Sequence, residues 1–188
     1  IVMDTELVFD DDRAVPLNLT AVPLKNAKSE LIGSMLVLED ITSEKRMKGT
    51  LARYMDKDVA EQLMEGGDDM LGGQSQEASV LFSDIRSFTT LTEKLGPAGT
   101  VAMLNEYFTE MVDYIFKYKG ILDKYIGDAI LAVFGVPFAN ELDPENAVNA
   151  AIGMVSSLKE FNAKRILVNK DPIDIGIGVN TDIVLAGN

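Results

Sequence analysis

Two aspartates are set into apolar surroundings. Asp84 closes the apolar run of "VLFSDIRSFT", and Asp128 follows Gly127 between the apolar runs of "ILDKYIGDAILAVFG". Taken singly, each has an ordinary explanation: Gly-Asp is hairpin-turn chemistry, and Ser83-Asp84 can cap a helix. Taken together they pose an electrostatic problem. Two carboxylates a few ångströms apart repel, and one must take a proton unless a cation lies between them. The chain contains no Cys and no His. Disulfides, thiolate or imidazole metal sites, and Ser-His or Cys-His nucleophile pairs are therefore excluded. Any metal must be a hard cation held by oxygen, that is magnesium, manganese or calcium. A pair of Mg²⁺ ions bridged by the two carboxylates fits this set, and two-metal sites, with ions ~3.5–4 Å apart, handle phosphoryl displacement. Beyond Asp84, Ser87, Phe88 and Thr89 enter a helix whose first backbone N–H groups form an anion site suited to a triphosphate. Arg86 in the same stretch reads as a solvated side chain.

The elements around these residues must bring them together. Ala78–Phe82 reads as a short apolar strand and Phe88–Leu95 as a short helix. Val101, Leu104, Phe108, Met111, Val112 and Ile115 mark one face of a longer helix closed by Gly120. Ile121–Ile126 and Ala129–Phe134 form two strands around Gly127-Asp128. Asp143-Pro144 opens another helix, with Pro in its first turn and Ala147, Ala151, Met154, Val155, Leu158 and Phe161 on its buried side. Ile173, Ile175, Ile177 and Val179 then alternate with Asp174, Gly176, Gly178 and Asn180 as a strand with one apolar face. The order βααββαβ predicts an α+β, ferredoxin-like sheet with helices on one side. In that sheet the first strand lies beside the central hairpin, so the end of the strand and the hairpin turn converge.

The rest of the chain frames this domain. Its 188 residues carry a formal charge of −13, which argues against nucleic acid or an anionic membrane as the main partner. No apolar run approaches the ~20 residues of a membrane span. The chain opens on Ile1 without a start Met and reads as a piece of something longer. Residues 1–41 read as β: Val15, Leu17, Leu19 and Ala21 alternate, Asn26–Glu30 is a polar turn, and Leu31–Leu38 is a second strand. Thr42-Ser43 and Glu44 then start a helix. Met47, Leu51, Tyr54, Val59 and Leu63 recur along it until Gly66-Gly67. One helix with so narrow a stripe suits a two-stranded coiled-coil connector over 42–76.

"LFSDIRSFT" and "LDKYIGDAILAVFG" resemble the two metal motifs of the class III nucleotidyl cyclases, the adenylyl and guanylyl cyclases, and the resemblance covers about 77–188. It implies that Asp84 and Asp128 bind two Mg²⁺ or Mn²⁺ ions, with the Ile85 carbonyl as a further ligand. It also implies that Lys124 reads the purine: a Lys donates to an adenine ring nitrogen, where guanine calls for an acceptor such as Glu. The substrate implied is ATP, whose 3′-hydroxyl attacks the α-phosphorus with loss of pyrophosphate. The site implied is composite, completed across a homodimer by an Asn and an Arg that the family carries beyond the position of Asn188. Residues 1–41, ending "LVLEDIT", resemble the last strands of a PAS sensor. "LARYMDKDVAEQL" resembles the helical transducer that joins such sensors to cyclases in bacteria, which implies a cytoplasmic protein. Two positions depart from the family pattern: Ser87 stands where it usually has Gly, and Asp182 where Gly is common, at a place expected to tolerate a left-handed turn. Rival readings are a guanylyl cyclase, a non-catalytic dimerisation module, and a diguanylate cyclase, whose GGDEF signature "EGGDDM" superficially resembles.

Overall fold

The computed structural model describes residues 2–10, 12–66 and 74–186. It divides into two compact units, Ile1–Leu51 and Ala52–Asn188. The boundary falls inside the stretch expected to be one connector.

The first unit holds three antiparallel strands in the order β1 (Val2–Val8), β2 (Ala14–Lys25) and β3 (Leu31–Asp40), followed by helix α1 (Thr42–Leu51). The β2–β3 turn is built by Asn26, whose Oδ1 accepts from the Lys28 and Glu30 amides. β3 is exposed along its whole length. The start of α1 is held by Asp40 rather than by the Thr42-Ser43 pair, because Asp40 Oδ1 accepts from the Thr42 amide at 2.9 Å. Hydrogen bonding from Thr42 also lowers the Asp40 pKa.

In the second unit come α2 (Lys57–Gly66), β4 (Gln74–Ile85), α3 (Phe88–Lys117), β5 (Ile121–Ile126), β6 (Ala129–Phe134), α4 (Asp143–Leu167) and β7 (Ile175–Ala186). The single helix expected from Ser43 to Gly66 is therefore two helices. The apolar spacing is carried through the break, but the backbone between has another use. Leu122 N–H donates to the Tyr54 carbonyl at 2.7 Å, and Met55 bridges to Ile121. This short segment pairs with the edge of β5 and buries Met55, so it cannot also be helix. The "EGGDDM" reading cannot be followed to its acidic end, since Asp68 and Asp69 lie outside the described residues.

The strands pair antiparallel in the order β5-β6-β4-β7. The expected βααββαβ sequence of elements is present. α3 contains both predicted helices, broken at Gly96, which is non-helical (φ 66°, ψ 173°) ahead of Pro97. That break sets the helical phase of the longer part. Met103 and Tyr107 join Met111 and Ile115 in the core, while Val101 is exposed. In α4, Ala150 is buried and Val155 is exposed. The left-handed residue after α3 is Lys119, not Gly120. Asp182 lies within β7, opposite Ala78, rather than in a turn. Among the described residues no helix is long and apolar enough to cross a membrane.

Both long helices cover one face of the sheet. Leu81, Ile130, Phe134, Tyr107, Met111, Ile115 and Met154 are wholly buried between them. Replacing Leu81 by Ala should lower unfolding stability by about 2–5 kcal/mol through lost apolar burial and the remaining cavity. Leu167→Ala, at a residue 84% exposed, should stay within about 0.5 kcal/mol. Urea unfolding of the two variants checks the contrast.

Candidate active site

The β4–β6 ladder ends at the pair Ser83↔Ile130. Two residues on, the Ile85 amide has run past the end of β6, and the hairpin turn supplies its acceptor: Ile85 N–H donates to Asp128 Oδ2 at 3.0 Å. Ile126 pairs with Ala129, leaving Gly127-Asp128 as a two-residue loop. Gly127 has φ +65° and Asp128 is not among the positive-φ residues, the sign pattern of a type II′ turn with Gly in first place. The turn thus delivers Asp128 to the residue next to Asp84. A carboxylate can accept an amide proton with one oxygen and face a cation with the other. Among the described residues no group of three or more Asp, Glu, His or Cys surrounds the pair. A hard cation here would complete its shell with backbone, substrate or water oxygens, as Mg²⁺ commonly does.

Asp84 and Lys124 lie on the face of the sheet that the helices leave open. On β5, Tyr125 stacks on Phe108 of α3, with ring centroids 4.2 Å apart, so its neighbour Lys124 points the other way. Cross-strand pairing places Lys124, Leu131, Phe82 and Gly178 in one row. Asp84 is two residues along from Phe82, opposite Gly176. β5 has a register shift between Leu122 and Lys124; such bulges re-aim a side chain. Lys124 forms an exposed ion pair with Asp123 at 3.2 Å.

Arg86, read from sequence as a solvated side chain, lies at the site. A Cβ built on Gly176 would fall 2.8 Å from Arg86 Nη2 and 3.0 Å from Asp84 Oδ1. The guanidinium and the carboxylate therefore fill the space that a side chain at 176 would need. The alternation of Gly176 and Gly178 along β7 was the signal for this, visible in the sequence but read only as one face of a strand.

Ser87 precedes the first turn of α3 in the left-handed conformation (φ 55°, ψ 34°) with no side-chain cap. No acidic residue occupies the first turn itself, although Asp171 and Asp174 line the cleft beside it. A cleft of about 370 Å³ opens here, lined by Arg86, Ser87, Thr90 and Lys94 among others. Phe88 packs instead against the core, and neither it nor Thr89 lines the cleft.

Beneath the carboxylates lies a buried polar pair absent from the sequence reading. The Tyr107 hydroxyl is 3.5 Å from Ser83 Oγ, and both residues are fully buried. Burial pushes the Tyr107 pKa up to about 12; the Ser83 hydrogen bond opposes this, and the charges of Asp128 and Asp84 add to the rise. Tyr107 therefore holds its proton directly below the aspartates.

The fold is of the class III nucleotidyl cyclase type. Residues 72–188 match the adenylate and guanylate cyclase catalytic domain, and the chain belongs to that family. An uncharacterized protein of Mycobacterium tuberculosis is 31% identical over 157 residues, 83% of this chain and 28% of its own length. The crystal structure of the guanylyl cyclase Cya2 matches with a TM-score of 0.60 and 38% identity, over 62% of this chain and 59% of that one. The adenylyl cyclase CyaB from P. aeruginosa matches with a TM-score of 0.60 and 34% identity, over 63% and 62%. The chain spans about a quarter of the length of the curated relatives it matches.

Two outcomes test this geometry. Ser87→Gly should raise stability by about 1 kcal/mol by relieving a left-handed non-glycine residue, read as a higher thermal midpoint. Tyr107 has a folded pKa above its unfolded value, so its contribution is complete below about pH 10 and is lost as pH rises through about 12. Tyr107→Phe should remove about 2 kcal/mol of that alkaline loss, measured by urea unfolding at pH 9 and pH 11.5.

Proposed function

We propose that this chain is the catalytic part of an adenylyl cyclase, which converts ATP to 3′,5′-cyclic AMP and pyrophosphate. The observation in support of the reading is the Ile85–Asp128 hydrogen bond, which ties Asp128 to the residue that follows Asp84. Asp84, Asp128 and the Ile85 carbonyl are the oxygens that would hold two Mg²⁺ or Mn²⁺ ions. Bound there, the ions would lower the pKa of the ribose 3′-hydroxyl and neutralise phosphate charge. The chain's own part is position and electrostatics. Backbone N–H groups of Ser87, Phe88 and Thr89 receive the triphosphate at the start of α3. Lys124 donates to the adenine from the open face, in the row that runs to Phe82 and Gly178. The two glycines of β7 leave the floor beside Phe82 and Asp84 without side chains.

A homodimer completes the site. In support, the helix-free face exposes Phe82 by 41% and Ile126 by 51%, large apolar side chains next to the proposed substrate groups. Residues 1–41 are assigned to a PAS-like sensor that regulates the cyclase, on the strength of the sequence resemblance alone. A guanylyl cyclase is the second reading. It is favoured by the likeness to Cya2 and by the Lys124–Asp123 ion pair, which occupies the proposed adenine donor.

The test is cyclic nucleotide formation by the full-length protein with Mn²⁺, given ATP or GTP. Cyclic AMP should form in preference to cyclic GMP. Asp84→Asn and Asp128→Asn should each lower the rate at least 100-fold, on the order of 3 kcal/mol, and Lys124→Glu should shift preference toward GTP. Full activity in either aspartate variant would overturn the metal assignment. Preference for GTP in the unmodified protein would establish the second reading.

A further inference from the structure

The Arg86 side chain stands on the open face of the sheet. The β4–β7 ladder runs to Ile85↔Ile175 and continues one step further, where the Arg86 amide donates to the Asp174 carbonyl at 2.7 Å. Strand residues two apart share a face, so Arg86 follows Asp84 on the side away from the helices. Its guanidinium folds back over Gly176: a Cβ there would fall 2.8 Å from Nη2, 3.0 Å from Cζ and 3.0 Å from Asp84 Oδ1. Cation and carboxylate are thus within about 6 Å of each other, close enough to feel one another's charge. Both residues are exposed. Among the described residues no hydrogen bond or ion pair engages the guanidinium. Lys94, the other cation of the adjoining cleft, is paired with Asp171 at 3.2 Å.

What lies on either side gives this free cation its meaning. On one side is Asp84. On the other is the start of α3, whose cleft Arg86 also lines with Ser87 and Thr90. The cyclase reading puts divalent ions at the first and the triphosphate at the second, so the phosphates pass the guanidinium. Two divalent ions cannot balance two carboxylates and a triphosphate together, and a further fixed cation there is stabilising. Arginine suits the place, because its planar fork grips phosphate oxygens through paired N–H···O bonds. Asp174 lines the same cleft but forms no ion pair with Arg86. The charge of Arg86 acts in the opposite sense on a divalent ion alone: with no phosphate between them, guanidinium and metal repel.

We propose that Arg86 is a triphosphate-binding residue of the nucleotide site, its guanidinium holding phosphate oxygens between Asp84 and the start of α3. This rests on the metal and phosphate positions of the cyclase reading and not on the choice of base. The test is calorimetric titration of the full-length protein with 3′-deoxy-ATP and Mn²⁺, with 3′-deoxy-GTP alongside; neither can cyclise, since each lacks the attacking hydroxyl. Arg86→Gln should weaken nucleotide binding about tenfold or more, as for other hydrogen bonds to charged groups, and Arg86→Lys should recover part of the loss. Mn²⁺ alone should bind Arg86→Gln at least as tightly as the unmodified protein, and the melting midpoint without ligands should not change. A merely structural Arg86 predicts instead that metal and nucleotide weaken together. Asp84→Asn should weaken both. Unchanged nucleotide affinity in Arg86→Gln, or an equal loss of Mn²⁺ affinity, would overturn the role of Arg86. Undiminished Mn²⁺ and nucleotide binding in Asp84→Asn would overturn the metal assignment, while the Arg86→Gln comparison still decides Arg86. No saturable nucleotide binding by the unmodified protein would overturn both.

Discussion

The arrangement turns on one hydrogen bond, from the Ile85 amide to the Asp128 carboxylate. β4 outruns its neighbour β6, and the amide at its end needs a partner. A two-residue turn with Gly127 in the left-handed region supplies one from a side chain. The bond both finishes the strand and fixes where a negative charge stands. It requires β6 to lie directly against β4, which the order β5-β6-β4-β7 ensures. An order that separated β6 from β4 would leave Asp128 an ordinary turn residue.

The sheet divides labour between its faces. The helix side is a close-packed core in which Leu81, Ile85, Ile130 and Phe134 meet Tyr107, Met111 and Met154. Within it, Ser83 and Tyr107 form a polar contact below the two aspartates. The open side carries the groups with chemistry. Asp84 and Lys124 project from it, glycines at 176 and 178 keep it low, and Arg86 fills the space over Gly176. Because strand residues alternate between faces, the core residues fix the aim of the polar ones. Packing quality on one side thus controls geometry on the other.

Much of this was legible in the sequence, for definite reasons. Strand and helix periods gave the element order, and the apolar runs around Gly127-Asp128 gave the hairpin. The misreadings also have physical causes. The stripe from Met47 to Leu63 keeps helical spacing across a segment that the edge of β5 has claimed for pairing. The core stripe of α3 is centred on Met103 and Tyr107 because the chain breaks at Gly96. Arg86 and Tyr107 gave no signal of their own, since an arginine in a loop and a tyrosine in an apolar stripe are both commonplace.

Local chemistry decided which residues were candidates. With no Cys or His in the chain, only oxygen ligands and hard cations remained, and two aspartates set among apolar residues stood out. Spacing along a chain carries no distance between strands, however. Only the folded sheet decided that residues 85 and 128 are 3.0 Å apart, that Arg86 sits over Gly176, and that Arg165 is buried with two donors unused. Each depends on which strands and helices become neighbours, and that choice is made by the burial of the whole apolar face rather than by any one segment.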